Sequence, residues 1–140
     1  MRLWHKDLIP YLPRQQLIAQ WRECCAIASN LANKGTPNHL LVNKITEYSL
    51  YNFDVYVCRV VREIRNRGYR ISKKAISNYN SNFVRIHKIM PKENKGIFNN
   101  WHNERYLKQC LYNLQEKYDC GGITEKEWKM IEDNFHSYLE

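Results

Sequence analysis

The sequence predicts an all-α fold: a compact single-domain bundle of three main helices plus a short C-terminal helix, with a long basic loop after the second helix. Three observations predict it. Apolar residues recur at three- and four-residue spacing in three long segments, Gly, Pro and Asn signals bound those segments, and a capping box opens a fourth. The 140 residues suit one domain over 1–140, with 120–140 a candidate peripheral helix. A composition of 44% apolar and 26% charged residues excludes wholesale disorder, collagen and a pure coiled coil.

The first helix is expected from Arg14 to Asn33, entered after Pro10 and Pro13 and closed by Asn33-Lys34-Gly35 with Pro37 beyond. With Trp21 at zero and about 100° per residue, Leu17, Cys24, Cys25, Ala28 and Ala32 fall within about 60° and form the expected core stripe. The opposite half carries Gln15, Gln16, Arg22 and Glu23, with Ala19 and Ala26 between them, so a partner can approach closely. Ser49 to Arg67 repeats Phe53, Tyr56, Val57, Val60, Val61 and Ile64 at helical spacing and stops at Gly68; its polar side holds Arg59, Arg62, Arg65 and Arg67. Tyr69 to Lys95, rich in Asn, Ser and Lys, reads mainly as loop. Trp101 to Tyr118 is the third helix, through Leu107, Cys110, Leu111 and Leu114, and Asp119 to Gly122 breaks it. Thr124-Glu125-Lys126-Glu127 is a capping box that starts the fourth, with Trp128, Ile131, Phe135 and Tyr138 inward. Trp4 and Trp101 are expected in the core.

Charge is unevenly distributed. The chain has a formal net charge of +8, and Arg59 to Lys95 alone holds eleven bases against two acids. Such a block can bind a phosphate backbone by counterion release, with Tyr69, Tyr79 and Phe83 available to stack on bases. Arg65, Lys73 and Lys74 are its candidate DNA contacts. The five cysteines, Cys24, Cys25, Cys58, Cys110 and Cys120, include no C-x-x-C pair and read as reduced core residues, so no metal is expected. The histidines His5, His39, His87, His102 and His136 are scattered and read as structural or surface residues. No P-loop, G-x-G-x-x-G, G-x-S-x-G or H-E-x-x-H occurs, so nucleotide hydrolysis, hydride transfer and zinc hydrolysis find no support. Apolar runs are too short to cross a bilayer and the first residues lack a secretory apolar region, which leaves the cytoplasm as the expected location, nucleoid-associated when bound to DNA.

The run Arg14-Gln15-Gln16-Leu17-Ile18-Ala19-Gln20-Trp21-Arg22-Glu23 resembles the first helix of the pyrimidine dimer DNA glycosylases, the phage endonuclease V type of repair enzyme. Met1-Arg2-Leu3 and Arg65-Asn66-Arg67-Gly68-Tyr69 extend the resemblance, as does a branch pattern of Arg-Leu-Trp-His, Leu-Pro-Arg-Gln-Gln-Leu and Arg-Glu-Cys-Cys. It implies a monomeric enzyme acting on damaged duplex DNA without metal or organic cofactor. It places the family's catalytic glutamate at Glu23 and its nucleophilic amino terminus at Met1. Arg2, Arg14, Gln15, Gln16 and Arg22 become DNA contacts. An α-amine of pKa about 7.7 to 8.0 is partly neutral at physiological pH, whereas a lysine amine near about 10.4 is not, so a chain terminus suits nucleophilic attack. A neighbouring carboxylate would stabilise the cationic imine and move protons.

The chain departs from the family at three positions. The bulk of Arg2 implies that Met1 is retained, Gln16 stands where the family carries a histidine, and Ala26 replaces a basic contact. The competing expectation is a non-catalytic basic DNA-binding protein on the same scaffold; a third is a helical module whose basic face meets an acidic protein.

Overall fold

Segregation of apolar residues onto one side of successive segments leaves helices as the regular elements among the described residues. The computed structural model describes residues 2–34, 40–86 and 97–139. Met1, His39, His87, Lys88, Lys92, Lys95 and the Gly35 and Pro37 stop signals lie outside the described residues. The elements are a 3₁₀ helix Lys6–Tyr11, α1 Arg14–Lys34, α2 Leu40–Thr46, α3 Leu50–Asn66, α4 Lys73–Ile86, α5 Glu104–Asp119, α6 Glu125–Phe135 and a closing 3₁₀ turn His136–Tyr138. No strand occurs among the described residues.

Long helix α1 is central. It packs against both α3 and α4. The buried arc of α1 is wider than the expected stripe and rotated from it: Ile27 and Leu31 are buried, about 120° and 80° from Trp21, with Gln20 between them, while Cys25 and Ala32 are only half-buried. The rotation has a cause. Residues 2–5 lie along that side of α1, with Leu3, Trp4 and His5 all buried, so the N-terminal segment is a core element.

The expected loop from Tyr69 to Lys95 is corrected over Lys73–Ile86, which is helix α4. Ser72 caps it by accepting from the Ala75 N–H at 2.9 Å. Its Ile76, Tyr79, Phe83 and Ile86 recur at helical spacing toward α1 and α3, and Trp21 and Phe53 pack on Tyr79. Tyr79 is therefore core, its hydroxyl donating to Asp54 Oδ1 at 3.0 Å, and Tyr69 covers the Arg14 guanidinium, so neither is a free base-stacking platform. Short α2 was not anticipated from the sequence; Val42 and Ile45 are its buried residues.

Helices α3 and α6 match expectation closely. Ser49 precedes α3, and Gly68 follows at φ +83°, the left-handed conformation that favours glycine. The Thr124–Glu127 capping box is present. Glu127 does more than cap α6, because its Oε2 also accepts from the Arg14 N–H at 2.8 Å and ties the C-terminal helix to the start of α1. Arg67 performs a similar tie, donating to the carbonyls of Leu12 and Pro10 while paired with Glu63 at 2.8 Å. Trp4 is buried and Trp101 half-buried against the core. All five cysteines are free; Cys24 and Cys110 are buried, but Cys58 and Cys120 are exposed rather than core residues. No helix among the described residues is long and apolar enough to cross a membrane.

Candidate active site

The carboxylate of Glu23 lies at the border of the buried arc of α1, half-buried, between half-buried Ala19 and exposed Ala26. Small neighbours leave its outer side open. Its Oε2 accepts the backbone N–H of Arg2 at 3.0 Å and an N–H of Gln20 at 3.5 Å. Thus Glu23, one half of the resemblance-derived pair, meets the backbone N–H of Arg2. Met1 itself lies outside the described residues.

Side chains hold six backbone polar atoms of the stretch from Arg2 to Lys6. The Gln20 Nε2 donates to Arg2 O at 2.8 Å and its Oε1 accepts from Trp4 N at 2.8 Å. Tyr56 Oη donates to Trp4 O at 2.6 Å and lies 3.0 Å from Gln20 Oε1. Tyr106 Oη donates to Leu3 O, and the Lys6 N–H donates to His102 Nδ1 at 2.9 Å. Burial raises the pKa of both Tyr56 and Tyr106, so the two hydroxyls keep their protons and remain donors. Burial, aided by the charges of His5 and Lys6, lowers His102 to about 3, leaving a neutral ring whose Nδ1 accepts.

None of Gln20, Tyr56, Tyr106 or His102 was singled out from the sequence as part of the site. The available signal was a polar Gln20 inside an otherwise apolar arc; the tyrosines read as ordinary core residues until their hydroxyls had partners. His5 and His102 stack at 5.2 Å, a structural role consistent with expectation.

The candidate DNA contacts divide. Arg22 and Gln15 are exposed on α1, and Gln16 is half-buried with its Oε1 buried and unpartnered among the described residues. Arg14 is exposed, its guanidinium 4.8 Å from the Tyr69 ring. Arg2 does not extend into solvent: it is half-buried, over the Trp4 ring at 5.2 Å and 3.9 Å from Cys110 Sγ. Arg65 is exposed on α3. There, with Arg62, it borders a cavity of ≈ 450 Å³ walled by Trp21, Tyr79 and Val57. Lys73 and Lys74 are exposed in the first turn of α4. A second cavity, ≈ 560 Å³, lies between the first 3₁₀ helix and Arg59 and Arg62. Among the described residues no group of three or more His, Cys, Asp or Glu side chains is arranged to hold a metal ion.

No curated protein and no solved structure matches this chain. The family model for pyrimidine dimer DNA glycosylase matches residues 1–77, just over half of the 140. That span contains Arg2, Gln20, Glu23 and Tyr56, and leaves out Tyr106 and Cys110 of α5, which close the cluster from the other side. The chain therefore belongs to the pyrimidine dimer DNA glycosylase family, a family of DNA-repair enzymes that act on DNA.

Proposed function

We propose that this protein acts as a monomer and a single domain on damaged duplex DNA, such as DNA containing pyrimidine dimers. It removes the damaged base and then nicks the strand at the abasic sugar, with the Met1 amine as nucleophile and Glu23 as its carboxylate partner. The observation that carries this reading is the 3.0 Å hydrogen bond from the Arg2 N–H to Glu23 Oε2. Covalent geometry keeps an α-amine within about 4 Å of the next residue's nitrogen, which supports pairing the amine with that carboxylate.

The chemistry follows from those two groups. The neutral amine attacks C1′, the C1′–base bond breaks, and the base departs with a proton. Breaking C1′–O4′ converts the adduct to a cationic imine, with the sugar oxygen taking a proton. Loss of a C2′ proton then expels the 3′ phosphate, and water hydrolyses the imine to regenerate the amine. Glu23 faces the cation and serves as proton acceptor and donor. Arg22, Arg14, Gln15 and Gln16 on α1, with Arg65, Lys73 and Lys74 on α3 and α4, hold phosphates, and Arg2 buttresses the front of the chain against Trp4 and Cys110.

Borohydride trapping on abasic duplex DNA tests the proposal. A covalent adduct mapping to residue 1 is expected, along with strand scission that Glu23→Gln lowers by about 10²- to 10⁴-fold. An uncleaved amino-terminal extension should abolish trapping. An adduct on an internal lysine, or a fully active Glu23→Gln protein, would overturn the assignment; tight DNA binding with no scission would leave the non-catalytic binder.

A further inference from the structure

We infer that Gln20 is the positioning residue of this site: its carboxamide sets the distance between the front of the chain and Glu23. The inference rests on the amine mechanism proposed above, but its evidence is separate. Gln20 is 1% exposed in the core of α1. A primary amide offers two N–H donors at one end and an acceptor oxygen at the other, and every one of these is engaged. One Nε2 proton goes to Arg2 O at 2.8 Å, and the other points to Glu23 Oε2 at 3.5 Å. The oxygen takes Trp4 N–H at 2.8 Å, and the Tyr56 hydroxyl, whose proton goes to Trp4 O at 2.6 Å, lies 3.0 Å from it. The neighbours leave no ambiguity in its orientation, because a backbone N–H must meet the oxygen and a backbone carbonyl must meet the NH₂.

The pattern imitates one rung of a β-ladder. Gln20 presents a donor and an acceptor to the backbone of residues 2 and 4, as a neighbouring strand would, and so fixes both translation and tilt of the extended segment. The same Nε2 reaches the carboxylate one helical turn further along α1, so a single side chain references both reacting groups to one rigid helix. Glutamate lacks the donors and would set a second negative charge beside Glu23; methionine fills similar volume but leaves Trp4 N–H and Arg2 O buried and unpaired. Reactions between positioned groups lose about a hundredfold from a misplacement near 1 Å, the scale of loss expected here.

Single-turnover borohydride trapping on abasic duplex DNA, run well below the melting temperature with wild-type protein, Gln20→Met and Tyr56→Phe, decides the matter. For Gln20→Met the trapping rate should fall about a hundredfold while DNA affinity stays within about threefold, a split that general loss of structure would not produce. Tyr56→Phe keeps the amide and removes the hydroxyl that holds Trp4 O beside it, and should slow trapping about tenfold with the same unchanged affinity. A folded Gln20→Met protein trapping within about twofold of wild type would overturn the inference. Should Gln20→Met fail to fold, a Tyr56→Phe rate equal to wild type would overturn it instead. Absence of a residue-1 adduct in the wild-type protein would sink the amine mechanism, and is read independently of either variant.

Discussion

At the scale of single residues, buried polar side chains spend their hydrogen bonds on the backbone of residues 2–6. The resulting energies are asymmetric: making such a bond contributes about 1 kcal/mol, whereas orphaning a buried carbonyl costs about 1–3 kcal/mol. Tyr106→Phe removes the donor to Leu3 O while keeping the ring that packs at a tilt against His102 and Trp101. Urea unfolding should show a loss of about 1–3 kcal/mol, with unchanged slope; a loss below about 0.5 kcal/mol would mean that the carbonyl finds another donor. Glu23 was legible in the sequence because the order of residues around it matched a family. Gln20 and Tyr106 were not, since a local sequence does not say that a backbone segment from elsewhere in the chain lies beside them.

At the scale of elements, α1, α3 and α6 were read correctly from their end signals, α5 begins at Glu104 behind an Asn103 cap and not at Trp101 as expected, and α2 and α4 were missed. The α6 capping box satisfies N-terminal amides through Thr124 and Glu127, and Thr124→Ala should lower stability by about 1 kcal/mol in thermal or urea unfolding. An unchanged midpoint would show that Glu127 holds the turn alone, through its bonds to Arg14 N–H and Thr124 N–H. Those donors win over burial and keep the Glu127 carboxyl below the usual range. Helix α4 failed to stand out for a definable reason. Its Asn and Ser residues have modest helix propensity, and its apolar stripe is spaced correctly but interrupted by them. The helix is bought by packing against Trp21 and Phe53, a tertiary contribution that propensity does not include.

At the scale of the whole molecule, two buried histidines make stability depend on pH. His102 and His5 both titrate below the ordinary histidine range in the fold, His102 at about 3, and burial is the leading cause in each. A histidine with a lowered folded pKa keeps its full contribution above about pH 6.5 and loses it as pH falls, because the unfolded chain takes up the proton first. For His102 alone the loss between pH 7 and 5 is about 2 kcal/mol, continuing toward pH 3. Urea midpoints at pH 7 and 5 should therefore diverge more for wild type than for His102→Asn, which retains an acceptor for the Lys6 N–H; equal divergence would show that the ring is not the titrating group. The positive charge makes a second whole-molecule prediction. Affinity for DNA should fall steeply with salt, and Arg22→Ala should flatten the plot of log affinity against log salt by about 0.9 with little change in stability, if Arg22 holds one phosphate. A slope identical to wild type would remove it from the interface.

By itself the sequence determined the all-α class, the bounds of α1 and α3, the start of α6, the basic character of the chain and the family, because periodicity, end signals and residue order are local properties. Tertiary structure alone decided that residues 2–5 are core, that the polar edge of α1 at Gln20 is a backbone clamp, and that the Arg2 N–H is the group that Glu23 accepts from. Each of these joins groups 16 to 103 residues apart in sequence, and such meetings are set by the closure of the whole fold around α1.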